Sequence, residues 1–348
     1  RPDVSDARAA PPGVSSLRER LVERIRADGP LTFAQYMEAA LFDPEAGFYT
    51  RGPGIGQGGH FATSAEAHPA FAEAITAEAH ATWLELGEPA DFRVTEAGPG
   101  TGGLARLVSE GLTALGVAHE LVLIERSTGL TDRQRTTLKG LPARWVEHPA
   151  ALSPSPGFLY GNEILDALPV RLLEWPDEVL VDADATGRLI ETLVPADPTL
   201  AAPIVAAVTP RPGGRYAVRP AMVPLVAAFS RSISVGRMLL IDYGGTGAEV
   251  HDGRRPPVRT YISGQQGGDP LQAPGTQDLT ADVDFGALSA AAETVGVAVE
   301  QLVTQAAWLR GHGCELPPAN ARTEEDWALA GLLDERLPFM VWLGQRQG

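Results

Sequence analysis

Residues 92–124 constrain the fold more than any other stretch of the chain. A short apolar run at 92–95 leads into Glu96-Ala97-Gly98-Pro99-Gly100-Thr101-Gly102-Gly103, a helical pattern covers 104–115, and a second apolar run occupies 121–124. Strand, glycine turn, helix, strand is the unit of a parallel sheet, because a parallel return needs a crossover and the helix supplies it. The alternation continues downstream. Residues 144–146 and 158–160 read as strands, the latter feeding a helix from Glu163. Residues 238–241 read as a strand ending at Asp242, 285–295 as a helix, 297–303 as a strand and 340–343 as a final strand. This pattern predicts an α/β fold, a Rossmann-like sheet covered by helices on both faces.

The flanks are different in kind. Residues 1–14 are rich in Pro and Ala and read as a flexible lead-in. Ser16 with Glu19, and Thr32 with Gln35, form two capping boxes, each opening a helical pattern. A third helix is expected from Pro69, with Phe71, Ile75, Ala79 and Trp83 at helical spacing and Gly87 and Pro89 at its end. The stretch 175–235 breaks the alternation and reads as an insertion or cap. The expected organisation is therefore a lead-in (1–14), an N-terminal helical region with a glycine-rich loop (15–90), a core (91–174), the insertion (175–235), and the rest of the core sheet with substrate-side loops (236–348).

The glycine turn carries the first chemical signal. Gly98, Gly100 and Gly102 let the backbone approach a ligand with no Cβ in the way. The turn lies at the carboxyl end of a strand, where open α/β sheets bind ligands. Its spacing is E-x-G-x-G-x-G, not the G-x-G-x-x-G of dinucleotide enzymes. Glu96 at that mouth suits a cationic amino group better than a pyrophosphate. Glu125 ends the next strand and is placed to accept hydrogen bonds from two ribose hydroxyls. Together these residues describe an adenosine ligand with a cationic tail. The bland alternative is a tight turn and a surface charge.

A second signal comes after the fourth strand, in Gly161-Asn162-Glu163-Ile164-Leu165-Asp166-Ala167-Leu168-Pro169-Val170. On a helical turn Glu163 and Asp166 would share a face and could hold, or deprotonate, a cationic acceptor. Asn162 could equally cap that helix, with both carboxylates favouring its positive end. His60 sits in the glycine-rich loop, where it is either a base near the reaction centre or a loop residue bonded to backbone. Asp242 either lines the pocket or caps the segment after its strand. His251, His312 and Cys314 have no metal-ligand spacing, and no metal is expected. Trp308 and Trp327 read as core or cap aromatics. The glycine-rich loop lacks the Lys-Ser/Thr ending of a phosphate-binding loop, and no nucleophile elbow is present.

Composition narrows the partners. The formal net charge of −16 repels phosphate backbones, so nucleic acid is not an expected partner. A single cysteine cannot form an internal disulfide, so nothing requires an oxidising compartment. No apolar run approaches membrane-spanning length. The chain opens at Arg1 rather than Met, which leaves a removed leader open. Cytoplasmic placement is the expectation, with homo-oligomerisation left open.

The sequence resembles the MidA-like methyltransferases. The carriers are Leu31-Thr32-Phe33-Ala34-Gln35-Tyr36-Met37, Asp43-Pro44-Glu45-Ala46-Gly47-Phe48-Tyr49, Gly59-His60-Phe61-Ala62-Thr63-Ser64-Ala65-Glu66, the glycine turn, Asn162 to Val170, Asp242-Tyr243-Gly244, and Ala273-Pro274-Gly275-Thr276-Gln277-Asp278-Leu279-Thr280-Ala281-Asp282-Val283-Asp284-Phe285. The resemblance implies a seven-stranded class I methyltransferase sheet with S-adenosylmethionine as cofactor. It implies a loop over 56–66 that folds across the cofactor, with Thr63 and Glu66 among the cofactor residues beside Glu96, Gly98, Gly100, Gly102, Glu125 and Asn162. It also implies a guanidinium acceptor on a protein, clamped by Glu163 and Asp166. The chain departs from the family pattern at His60, at Ala65, at Thr101, over Ala217-Val218-Arg219-Pro220, and over Ser263-Gly264-Gln265-Gln266-Gly267-Gly268. The expectation is retained methyl transfer with a changed acceptor: a peptide, a protein or a specialised small molecule. Two rivals remain open: a non-catalytic S-adenosylmethionine-binding assembly partner, and an oxidoreductase using the same turn for NAD.

Overall fold

The computed structural model describes residues 16–50, 68–262, 265–318, 320 and 323–348. The lead-in 1–14 and the glycine-rich loop of 52–61 lie outside the described residues, as do His60, Thr63 and Glu66.

Both capping boxes form. Helix α1 (Leu17–Asp28) starts at Ser16, whose backbone N–H donates to Glu19 at 2.7 Å. A two-residue strand, β1 (Leu31–Thr32), leads into α2 (Phe33–Phe42), where the Thr32 N–H donates to Gln35 at 2.9 Å. Helix α3 (Pro69–Glu85) begins with Pro at its first position, where the missing N–H has no intrahelical use.

The expected alternation comes next, as β2 (Arg93–Ala97), α4 (Gly103–Ala114), β3 (Glu120–Ile124), α5 (Thr128–Thr137), β4 (Ala143–Val146) and β5 (Ser155–Asn162). Strand β6 (Arg171–Glu174) comes just before the stretch 175–235, which contains β7 (Asp177–Ala183), β8 (Leu189–Pro195), α6 (Pro198–Ala207), β9 (Arg215–Val218) and α7 (Met222–Ser232). Then come β10 (Ile233–Gly245), α8 (Gly247–Val250), β11 (Arg259–Ile262), β12 (Gln265–Gln266), β13 (Asp278–Thr280), β14 (Val283–Asp284), α9 (Phe285–Thr294), β15 (Val297–Thr304), α10 (Gln305–Gly311), α11 (Glu324–Leu332) and β16 (Phe339–Arg346).

The central sheet runs in the order β15-β16-β10-β5-β2-β3-β4, with β14 paired to the end of β10. Strands β10, β5, β2, β3 and β4 are mutually parallel, and β16 is antiparallel to both its neighbours. Side chains alternate across the sheet and both faces are apolar. Leu239 and Ile241 join a core with α3 and α4, while Met238 and Leu240 join a core with α7 and α9. That is why these strands read as unbroken apolar runs rather than as alternating ones.

The stretch 175–235 is tied to the N-terminal region by backbone pairing. Its strands β7, β8 and β9 join β1 and the preceding β6 in an antiparallel sheet, β1-β7-β6-β9, with β8 on β7. One face of that sheet needs cover, and α1 and α2 supply it: Leu21, Ile25, Tyr36 and Met37 pack in one cluster with Leu172, Val179 and Val181.

The helix expected from Glu163 does not form. Glu163 adopts φ +53°, in the left-handed region. A left-handed residue cannot open right-handed helical backbone, so the segment stays a turn. The amides of Leu165 and Asp166 donate to the Asp242 carboxylate, at 2.7 and 3.2 Å, and hold that turn against β10. Trp308 is buried in the core, whereas Trp327 is exposed and is no core residue.

Candidate functional site

The site is built where β2, β3, β5 and β10 end. The glycine turn leaves β2 with Gly98, Gly100 and Gly102 all at positive φ (65°, 53° and 84°), conformations that cost an L-residue about 1–2 kcal/mol each. A Cβ on Gly98 would lie 2.4 Å from Ile164 Cγ2, so this glycine also lets the turn after β5 close against the turn after β2.

Glu96 is nearly buried, at 3% exposure. It accepts from the Tyr160 hydroxyl at 3.1 Å and from the backbone N–H of Ala105, in the first turn of α4. Burial pushes its carboxyl up to about 8, with those two bonds opposing. The structure therefore places Glu96 beneath the glycine turn, against the amino end of α4, rather than out at the mouth.

Glu125 comes directly after β3. Its carboxylate accepts from the Ser127 N–H at 2.7 Å and from Gln134 Nε2 at 2.9 Å, and burial raises its pKa. Gln134 escaped the sequence reading. It is fully buried on α5 and donates to the Gly100 carbonyl at 2.9 Å as well as to Glu125, while its own oxygen accepts from Trp145 Nε1 at 2.9 Å. One side chain thus fixes the spacing between the glycine turn and the Glu125 carboxylate. No motif marks it; only its place on the helix behind Glu125 could have drawn attention.

The turn after β5 forms the other wall. Asn162 is 9% exposed; its amide donates to Glu163 Oε1 at 3.1 Å, and its buried Oδ1 has no hydrogen-bond partner. An orphaned buried acceptor beside a glycine cradle is what a ligand with a donor group would complete. Asp242 is wholly buried, and inside β10 rather than at its end. It organises the wall by accepting from the amides of Leu165, Asp166 and Tyr243. Burial and the charges of Asp166 and Glu163 raise its pKa well above the ordinary range.

The structure brings a fourth carboxylate to this wall. Asp278, on β13, accepts from the buried Tyr49 hydroxyl at 3.0 Å. Burial, with Asp166 and Glu163 adding repulsion, raises Asp278 to about 7. Asp166 is also raised by burial, which the Arg219 guanidinium opposes. Arg219 is itself half-buried. It donates to the Asp282 carbonyl at 2.7 Å, to the Asp166 carbonyl at 3.3 Å and to the Ala281 carbonyl, while Arg259 pairs with Asp282 at 2.6 Å. Tyr49, Asp278 and Arg219 were visible in the sequence only as parts of longer runs, because nothing local shows that they converge. Of the histidines, His251 pairs with Asp284 at 3.5 Å and His312 with Glu78 at 3.0 Å.

The chain as a whole matches known proteins. The S-adenosyl-L-methionine-dependent methyltransferase family model Methyltransf_28 covers residues 74–303. The chain belongs to that family. It is 28% identical to the Danio rerio mitochondrial protein arginine methyltransferase NDUFAF7, over 86% of this chain and 77% of that protein. It is 30% identical to the Bos taurus counterpart, over 78% of this chain and 68% of that protein. A Burkholderia thailandensis protein crystallised with S-adenosyl-homocysteine superposes with a TM-score of 0.86 at 28% identity, covering 95% of this chain and 92% of that one.

The chain is therefore an S-adenosylmethionine-dependent methyltransferase, and the rival readings as a non-catalytic binder or an NAD oxidoreductase fall. The MidA-like resemblance stands. The expected cytoplasmic placement does not: the relatives from Danio rerio, Bos taurus and Drosophila melanogaster are named as mitochondrial proteins. The expectation failed because cysteine count reports redox chemistry, and a reducing interior is not unique to one compartment. Among the described residues, no helix is long and apolar enough to cross a membrane.

Proposed function

We propose that this methyltransferase acts on a guanidinium nitrogen of a protein or peptide, with Glu163 and Asp166 as the acceptor clamp. The observation that carries this reading is the crowding of carboxylates on one wall. Asp166, Asp242 and Asp278 are all held above their ordinary pKa, each first of all by burial, and Glu163 adds its charge to the Asp242 and Asp278 positions. Such a wall is short of positive charge despite Arg219 and Arg259. A guanidinium stays charged at any physiological pH and presents a planar fork to carboxylates, so it would relieve that shortage. The naming of the relatives as protein arginine methyltransferases supports the same acceptor.

The glycine turn, the orphaned Asn162 Oδ1 and the Glu125 carboxylate are the groups that fit the cofactor. Glu125 suits the ribose hydroxyls, and Gly98, Gly100 and Gly102 give close backbone approach. Bound there, the cofactor supplies a methyl group already activated on a sulfonium. The chain's own part is to aim the acceptor nitrogen, exclude water and take the proton. The acceptor nitrogen must give up one proton as it gains the methyl group, and a clamp carboxylate, Glu163 or Asp166, would take it. The cofactor roles of Thr63 and Glu66 are part of this proposal and rest on the family resemblance, whereas His60, where the chain departs from the family, enters as a base only through its place in the glycine-rich loop.

A second reading, a neutral small-molecule acceptor, rests on Arg219. This half-buried cation stands against the Asp166 carbonyl and withdraws part of the clamp's negative charge. One experiment separates the two. The full chain is incubated with methyl-labelled cofactor and either arginine-containing peptides or a small-molecule extract, and the labelled products are read by mass spectrometry. Methylarginine is expected, with Glu163→Gln and Asp166→Asn each slowing it by about 100-fold or more. Label found only outside guanidines, or wild-type rates in both variants, would refute the clamp.

A further inference from the structure

A positively lined cavity lies outside the site just described. It has a volume of about 380 Å³ and sits between the hairpin leading into β9 and the loop after α8. Its walls include Arg211, Arg215, Arg255, Tyr216, Gly253 and Pro257, and no Asp or Glu lines it. That is unexpected in a chain with 44 acidic and 28 basic residues. Random placement of charge on such a surface would put carboxylates in a cavity this size; here three arginines share it alone.

The guanidinium groups are held but not used up. Arg211 gives one N–H to the Asp252 carbonyl at 3.1 Å. It lies across Gly253, where a Cβ would come within 2.6 Å of its Nη2, and Gly253 sits at φ +77°. Arg255 gives Nη1 to Asp282 at 3.1 Å and is otherwise half exposed. Arg215 pairs through Nη2 with Glu191 at 2.6 Å and through Nε, more loosely, with Glu174 at 3.9 Å, a distance too long for a hydrogen bond. Each guanidinium carries five N–H donors, so donors remain beyond the bonds just named. The supporting carboxylates, Glu174, Glu191 and Asp282, are not among the residues that line the larger cavity.

We propose that this cavity is an oxyanion-binding site, taking a phosphate or carboxylate group. Planar forks on two sides of a cavity match the paired oxygens of such groups, and the volume lies within the range of small-molecule sites. The smaller cavity adjoining it shares Arg215 and Arg255 and reaches Asp282, whose carbonyl holds Arg219 beside Asp166. An anion here is thus two side chains away from the acceptor wall. The proposal does not depend on which acceptor is methylated.

The test is calorimetric titration of the full chain, at low ionic strength, with inorganic phosphate and separately with citrate. S-adenosyl-homocysteine is titrated into the same preparations. Saturable binding of at least one anion is expected, weakened roughly tenfold or more in Arg211→Ala and in Arg255→Gln, and only partly weakened in Arg255→Lys, which keeps the charge but loses the fork. Binding of phosphate alone assigns a phosphate group, and of citrate alone a carboxylate. S-adenosyl-homocysteine affinity should stay at the wild-type value in every variant, which also shows that each is folded. The proposal is overturned if neither anion binds in the millimolar range, or if the variants bind as the wild type does. Loss of S-adenosyl-homocysteine binding in the wild type would instead count against the cofactor site.

Discussion

Replacing Gln134 with Leu tests the architecture of the cofactor side most directly. The substitution keeps the side chain close in volume and removes three hydrogen bonds at once: to the Gly100 carbonyl, to the Glu125 carboxylate and from Trp145 Nε1, each at 2.9 Å. Gln134 is fully buried, so water cannot simply replace it. Two neutral bonds contribute about 1 kcal/mol each and one to a carboxylate about 2 kcal/mol, so the expected loss is about 4 kcal/mol. Urea denaturation monitored by tryptophan fluorescence would measure it as a lower midpoint at unchanged slope. Cofactor affinity should fall further than stability alone explains, because Glu125 would no longer be held at a fixed distance from the glycine turn. A tenfold loss corresponds to about 1.4 kcal/mol and is readable by titration with S-adenosyl-homocysteine. A stability change under about 0.5 kcal/mol, the size of an ordinary surface substitution, would refute the bridging role.

Two further predictions concern the contact of the glycine turn with the turn after β5, and the carboxylates of that second wall. Gly98→Ala should abolish detectable S-adenosyl-homocysteine binding, because its Cβ meets Ile164 Cγ2 at 2.4 Å and its φ of +65° disfavours any side chain. Gly98→Ala with Ile164→Ala removes the clash but not the backbone cost of about 1–2 kcal/mol, so titration should show partial recovery; no recovery would place the fault elsewhere. Asp278 gives a pH dependence. Its folded pKa, about 7, lies above the unfolded value, so the folded chain holds the extra proton between the two. Stability from this group is fully present below about pH 4 and is lost as pH rises through about 7. Asp278→Asn, which can still accept from Tyr49, should flatten that decline in melting curves taken across the interval. An identical decline in wild type and variant would show that another group is responsible.

The elements legible in the sequence were those that local chemistry demands. Capping boxes at Ser16 and Thr32, and strands β2 to β5, came within a few residues of their observed bounds, because hydrogen-bonding caps and apolar periodicity act over one turn or one strand. The glycines of the cofactor turn were legible for the same reason: a positive φ selects glycine wherever it occurs. The sheet of β6 to β9 was not legible, since its partner strand β1 lies about 150 residues away and two residues carry no periodicity.

What the sequence determined alone was therefore the α/β alternation, the glycine turn with Glu96 and Glu125, and the family resemblance they support. Tertiary structure decided how the walls of the site face one another. The parallel register of β5 on β10 sets Asn162 opposite Ile241, and this brings the Asp242 carboxylate to the amides of Leu165 and Asp166. Those bonds hold the turn that stands where local spacing favoured a helix from Glu163. The same packing ties Glu96 to Tyr160, joins Asp278 to Tyr49 and sets Arg219 against Asp166. Each contact joins residues 50 or more positions apart, and the energy that enforces it is burial in the assembled sheet, a quantity that no window of the sequence contains.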